Sequence, residues 1–301
     1  MATQTLGKDV QQVERNYKPL SPFQLAVRRF KRHKLARVGL LIIAIFFFTG
    51  IFAPQISPYP YDKTSIQVFY APGTLPGHLL GTDDVGRDLL SRIIWGANTS
   101  MTVSILATAF CLIVGLALGF LAGWYGGVID YVLSRIIEIV GSMPGLLFQI
   151  LIMTLLGNGI LNVTFALAIL SWPGYVRLVR AQVLSYRNLE FMEAAKALGA
   201  GVPFIAVRHM FPNILNPLLV FISFSVPGFI VGEAGLSFLG RGINDPVPSW
   251  GKMLADAGQY VSSYIYMGII PTVLIITIII GFSFFGDGVR DALDPESDRA
   301  R

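Results

Sequence analysis

The sequence predicts an all-α polytopic membrane protein with six transmembrane helices. Three observations predict it. Hydrophobic residues fill 53% of the 301 positions and charged residues only 14%, against about 25% charged in an average soluble chain. Several windows reach the roughly 20 apolar residues that a hydrocarbon core requires. Cations also alternate between the two sets of loops, as the positive-inside rule demands. The spans fall at Val38–Ile56, Met101–Trp124, Tyr131–Leu155, Asn162–Leu178, Ile214–Val231 and Tyr264–Phe285, the fourth being short and interrupted by Pro173. An even number puts both termini on one side.

Charge says which side. The first 37 residues hold Lys8, Arg15, Lys18, Arg28, Arg29, Lys31, Arg32, Lys34 and Arg37, and the loop after the fourth span adds Arg177, Arg180, Arg187, Lys196 and Arg208. The opposite loops carry Lys63, Arg87, Arg92, Arg241 and Lys252, diluted by Asp62, Asp83, Asp84 and Asp88. Both termini and the loop before the fifth span are therefore expected in the cytoplasm. The net charge of +5 reflects topology, not nucleic acid binding. The first apolar stretch begins at Val38 behind a basic segment and is long enough to span, so it reads as an anchor rather than a cleavable leader. The lone Cys111 lies mid-span and excludes an intramolecular disulfide.

Along the chain, residues 1–37 form an N-terminal tail, 1–19 without predicted structure. Ser21-Pro22 offers a cap and a first-turn proline, and Phe23, Val27 and Phe30 follow at helical spacing among Arg28, Arg29, Lys31 and Arg32. This predicts a basic amphipathic helix on the membrane surface. After the first span (38–56), residues 57–99 form an external loop whose Pro58–Tyr61 stretch is extended. Leu89, Leu90, Ile93, Ile94 and Trp95 end that loop in an amphipathic helix. Asp83, Asp84 and Asp88 lack the alternating oxygen pattern of a calcium loop; capping that helix and pairing with Arg87 is their expected work. In the second span Ala107, Cys111, Gly115, Gly119 and Gly123 recur at every fourth residue, a stripe that lets another helix approach closely, from this chain or another. Arg135 and Glu138 can meet on one face of the third span, as a structural pair or as pathway-lining charges, and Pro144 should kink that helix further on. Glu233 follows the fifth span, at a pore mouth or solvated at a helix end. Residues 286–301 form a cytoplasmic tail.

Residues 186–212 form a polar loop between the fourth and fifth spans. Asn188 is a plausible helix cap and Glu190 suits the first turn. Phe191, Ala195 and Leu198 then share a face, Gly199 and Gly201 end the helix, and Pro203 opens a second one carrying Phe204, Val207, Arg208 and Phe211. Pro212 and Asn213 restart the chain into the fifth span. Ala194 and Ala195 permit close approach of another protein, and Glu193 with Lys196 would orient it by charge. A hairpin resting on its own membrane surface is the alternative.

Glu193-Ala194-Ala195 with Gly199, thirteen residues ahead of Pro212, resembles the coupling loop of ABC importer permeases. Arg208-His209-Met210-Phe211-Pro212-Asn213, Leu80–Asp88, Glu233–Gly240 and the tail from Gly286-Asp287-Gly288 to Pro295 are similar to the C-type permease subunit of dipeptide and oligopeptide importers. The resemblance implies the type I importer architecture, with residues 100–285 as the permease core in a bacterial cell membrane. It implies a homologous B-type permease, two cytoplasmic ATPase subunits that bind ATP and magnesium, and an external solute-binding protein. Phe191, Glu193, Ala194, Ala195, Leu198, Gly199 and Arg208 would contact the ATPase. This chain itself lacks a G-x-x-x-x-G-K-[ST] phosphate loop and an H-E-x-x-H metal motif, so no catalytic, cofactor or metal residue is assigned. Nickel or another small solute could replace peptide as cargo. An ATP-independent secondary transporter and a purely structural subunit are the other readings.

Overall fold

The computed structural model describes residues 22–293. The expected Ser21 cap, the tail 1–19 and the Asp294-Pro295 end of the C-terminal motif lie outside them. Outside 57–88, 239–249 and 258–265 the described residues are largely helical: α1 Pro22–Arg32, α2 Lys34–Ile51, the single turn α3 Ala53–Ile56, α4 Leu89–Tyr125, α5 Gly127–Ser142, α6 Gly145–Leu156, α7 Ile160–Tyr186, α8 Glu190–Ala197, α9 Val202–Ile205, α10 Phe211–Phe238, α11 Trp250–Ala257 and α12 Tyr266–Leu293. Among these residues four helices are long and apolar enough to cross a membrane. A fifth crossing follows if α5 and α6, which meet at 89°, count as one. The expected fourth span lies within α7, which is long at 27 residues but carries Pro173, Arg177 and Arg180 in its second half.

Several boundaries differ from the expected ones, each for a local reason. The external amphipathic helix and the second span are one helix of 37 residues. Nothing between Trp95 and Met101 breaks it: Gly96 lies within the helix, and Trp250 packs where its side chain would be, 2.8 Å from a Cβ built there. Trp250 Nε1 also donates to the Ile93 carbonyl at 3.0 Å. Pro144, by contrast, does more than kink the third span; the chain turns at Met143-Pro144 and a new helix starts. The break expected at Pro212 is absent. Residues Ala206–Met210 form a π turn in which the Phe211 N–H reaches the Ala206 carbonyl, and the helix runs on through the proline. Widening the turn is one way a helix absorbs a proline's missing donor. The last span likewise continues as helix to Leu293.

The small-residue stripe of α4 receives α7, which settles its neighbour as part of this chain. Cys111 approaches the Ala168 carbonyl at 3.5 Å, and Gly115, Gly119 and Gly123 face Tyr175, Val179 and Val183 in turn. The two four-residue ladders interlock, so the backbones approach closely and Val176, Val179 and Val183 are fully buried. Around this pair forms one hydrophobic cluster, with Ile214, Leu218 and Leu236 of α10. A second cluster joins α2, the first half of α4, Val226 and Ile230 of α10, α11 and α12. The amphipathic α1 lies against the end of α12, where Phe30 meets Phe285 edge-on at 5.6 Å.

Residues 57–88 and 239–265 sit at the end of the bundle where α4 begins. Asp88 caps α4 by accepting from the Ser91 N–H at 2.7 Å, and Asp83 pairs with Arg87 at 2.6 Å, both as expected. The charges form a larger ring. Arg87 also meets Asp245 at 3.3 Å, Lys252 bridges Asp245 (3.2 Å) and Asp256 (2.6 Å), and the buried Arg92 closes back to Asp83 at 3.4 Å and Asp256 at 4.0 Å. Burial opposes the Asp245 charge, but Lys252 and Arg87 outweigh it and hold the carboxyl below its usual range. Burial likewise opposes the Lys252 charge, and Asp256 and Asp245 reverse the balance, raising its pKa. Asp84 meets Arg87 more loosely, at 3.7 Å, and its pKa is still raised by burial and by Asp83.

Glu233 is not solvated at a helix end. Because α10 continues to Phe238, Glu233 lies inside the helix and is 0% exposed. Ser237 and Ser249 each donate to its carboxyl at 2.7 Å, and Ser100 does so at 3.5 Å. The buried carboxyl thus links α4, α10 and the start of α11, with its acceptor capacity met by hydroxyls.

Candidate functional site

At the opposite end of the bundle, residues 187–210 make a compact projection between α7 and α10. Its base is built on Arg187, which ends α7. The guanidinium donates to the carbonyls of Gly123 at 2.9 Å and Trp124 at 3.3 Å, the last turn of α4. A cation there meets free carbonyls and the negative end of the helix dipole. Leu189, not Asn188, stands at the start of α8 and gives no side-chain cap. The first turn instead carries Glu190 and Glu193, whose charges suit a helix N-terminus.

α8 is pinned from below by Met192. That side chain is fully buried in the cluster that also holds Ile205 and Met210, so the π turn closes over it. Lys196 braces the projection against α4 while staying exposed: Nζ donates to the Arg187 carbonyl at 3.0 Å and lies 5.0 Å from the centre of the Trp124 ring. Gly199 ends the helix in a left-handed conformation, φ 81°. Its N–H bonds to the Lys196 carbonyl (2.9 Å) and the Ala200 N–H to the Ala195 carbonyl (3.0 Å), the paired bonds of a Schellman cap.

What remains faces outward. Phe191, Glu193, Ala194 and Leu198 are exposed and Ala195 is half-buried on the flank beside Met192. Leu198 is 89% exposed and Val207 72%, and Phe204 and Arg208 stand on the same projection, both exposed. His209 lies between the rings of Phe191 (6.3 Å) and Phe204 (5.8 Å). A rigid base thus presents a patch of exposed large apolar side chains, the mark of an interaction surface. Arg135 and Glu138 are elsewhere, joined at 2.5 Å on α5 with both side chains 59% exposed, and Glu233 is at the far end. Among the described residues no three His, Cys, Asp or Glu side chains converge as metal ligands. Met192 and Arg187, which hold the projection in place, were the residues the sequence reading missed. The signal for Met192 was its place about 120° round the helix from Leu198.

Comparison with known proteins bears on this arrangement. The family described as "Binding-protein-dependent transport system inner membrane component" matches residues 115–299, and the "N-terminal TM domain of oligopeptide transport permease C" matches residues 21–72. The chain is 40% identical over 283 residues to the dipeptide transport system permease protein DppC of Alkalihalophilus pseudofirmus, covering 94% of this chain and 93% of that protein. It is 38% identical over 277 residues to the oligopeptide transport system permease protein OppC of Escherichia coli K12, covering 92% of each. The chain belongs to the C-type permease subunits of the dipeptide/oligopeptide ABC importer family. This permease also shares its fold with the inward-facing MetNI methionine ABC transporter, at a TM-score of 0.56 and 19% identity, over 68% of this chain and 96% of that one. The permease is a non-catalytic membrane subunit, and its projection falls wholly within the segment matched at 115–299.

Proposed function

We propose that this permease forms half of the pathway of an ATP-driven importer for di- and oligopeptides, and that its 187–210 projection receives the motion of a cytoplasmic ATPase. Six crossings are proposed, with α5–α6 as one and α7 as another, so that both termini and the projection are cytoplasmic. The distribution of cations supports that orientation. Residues 57–99 and 239–265 then face outward toward a solute-binding protein. A homologous B-type permease supplies the other half, and two ATPase subunits bind ATP and magnesium. Relatives named for dipeptides and oligopeptides support peptide as the cargo.

One observation carries the coupling role: large apolar side chains stand exposed on a base that three internal contacts make rigid. Phe191 and Leu198 would enter the ATPase surface, Ala194 and Ala195 would allow close backbone approach, and Glu193 and Arg208 would set its register by charge. Gly199 would fix the angle at which the helix ends. Fully burying Phe191 and Leu198 is worth about 1.5–3 kcal/mol each. Replacing both by Ala should weaken co-purification of the ATPase about 100-fold or more, with ATP-dependent peptide uptake lost in parallel. The matched control is Leu41→Ala on α2, where the side chain is 61% exposed. Undiminished assembly and uptake in the double variant would rule the projection out as the coupling element.

A further inference from the structure

The turn between α5 and α6 leaves a cavity of about 460 Å³ against α7 and α10. Its walls include Gly141 and Gln149 of the bent pair, Ser171 and Arg177 of α7, and Phe221 and Ser225 of α10. Arg177 lies 17 residues into α7 and nine from its end, hence about 25 Å from one end of the helix and 13 Å from the other. Arg177 is exposed and Gln149 half-buried, and both open on this space.

Its polar groups fall into two kinds. Ser171 and Ser225 donate back to their own helices, to the carbonyls of Leu167 (2.8 Å) and Phe221 (2.9 Å). The Gln149 amide and the Arg177 guanidinium, among the described residues, have no partner within the chain. Arg180, one turn further along α7, is paired with Asp130 through two hydrogen bonds, and Arg187 is bonded to α4. Arg177 was therefore left unpaired where its neighbours were not. A charged side chain on a membrane-embedded helix usually faces water, a ligand or a partner, and here the guanidinium and the Gln149 amide open on one cavity.

We propose that this cavity is the chain's share of the translocation pathway and that Arg177 and Gln149 contact the passing peptide. This rests on the peptide reading above and adds the contacts to it. A planar guanidinium takes a carboxylate in two parallel hydrogen bonds, so Arg177 receives the C-terminal carboxylate. A glutamine amide donates and accepts at once, which matches a peptide bond, so Gln149 pairs with the backbone. Phe221 and its apolar neighbours accept side chains of any sequence, as a carrier of mixed peptides requires.

The test uses the complete importer in proteoliposomes with trialanine as probe. Arg177→Lys keeps uptake within about threefold of wild type, Arg177→Gln lowers it about tenfold, the loss of a charge-assisted bond, and Arg177→Glu lowers it further. Gln149→Cys and Arg177→Cys should both react with a charged thiol reagent, and trialanine should slow the reaction. The native Cys111 is buried and serves as the unreactive background. Equal loss in all three Arg177 variants, no loss in any, or absence of labelling overturns the proposal. So does loss of the second permease on purification of Arg177→Gln, which would make Arg177 an inter-subunit ion pair. If instead the wild-type importer takes up no trialanine while both cysteines label, the peptide reading itself fails and the carboxylate contact with it.

Discussion

Two glycines show how differently the same atom can be excluded. A Cβ on Gly119 would lie 2.7 Å from the Cβ of Val179 and 2.9 Å from the Val176 carbonyl. Neither is the movable end of a side chain, so a larger residue forces α4 and α7 apart. Gly119→Leu should cost about 1–3 kcal/mol of stability, read as a lowered unfolding temperature of the purified subunit. Gly199 has nothing within 4 Å of its missing Cβ; what it supplies is the left-handed backbone at the end of α8. Gly199→Ala costs about 1–2 kcal/mol through φ alone, and the strain falls on the projection. Its expected result is an unfolding temperature lowered by no more than that strain implies, roughly 2–4 °C per kcal/mol, with ATP-coupled uptake lowered at temperatures where the subunit stays folded. Gly199→Asn should recover part of both losses because Asn tolerates that conformation. A loss of stability in Gly199→Ala with uptake unchanged would contradict the assignment.

At the scale of elements, the charge ring joins the 57–88 segment, α4, the 239–249 loop and α11, and its titration has a defined sign. The depressed carboxyl of Asp245 contributes stability above its unfolded value near 3.9 and loses it as pH falls through the still lower folded value. The raised Lys252 contributes below about 10.4 and loses it as pH rises through the folded value. The ring should therefore hold between those limits. Asp84 works the other way: its raised carboxyl is least comfortable when charged, so Asp84→Asn should raise the unfolding temperature near pH 7, while Asp245→Asn should lower it and flatten its fall in acid. Much of this end was not legible in the sequence, because its partners are far apart along the chain. Ser100, Ser237 and Ser249 look like ordinary polar residues until α4, α10 and α11 bring them around Glu233. The apolar runs, the Asp88 cap, the four-residue stripe of α4 and the glycine end of α8 were legible because each is written in local spacing. The unbroken 89–125 helix was not, since the Trp250 that packs against Gly96 lies more than 150 residues on.

The whole molecule has two hydrophobic clusters that share α4 and α10, and this division makes a prediction about the first span. Most of the cluster around α4 and α7 lies in the segment matched at 115–299, only its Val103, Ala107 and Cys111 end preceding it, whereas α2 lies in the separately matched 21–72. α2 is held to α12 by small residues: a Cβ on Gly39 would stand 2.7 Å from the Phe285 backbone nitrogen, and one on Gly281 2.7 Å from Ile42. Ala36 faces Gly288 in the same seam, one turn nearer the N-terminus. Because the obstacle at Gly39 is backbone, Gly39→Leu cannot be absorbed by a rotamer change and should push α2 off α12 at a cost of about 1–3 kcal/mol. For a domain of about 150–250 residues that corresponds to roughly 2–4 °C per kcal/mol. The α4–α7 interface shares no residue with this seam, so it should stay closed. The expected result is a lowered unfolding temperature together with faster proteolysis within 52–88, while a cysteine pair placed across α4 and α7 still crosslinks as in the wild type. Leu41→Ala, facing away from the seam, should change stability by no more than about 0.5 kcal/mol. If Gly39→Leu also abolished the α4–α7 crosslink, the two clusters would be one cooperative unit and the first span would be integral to the core.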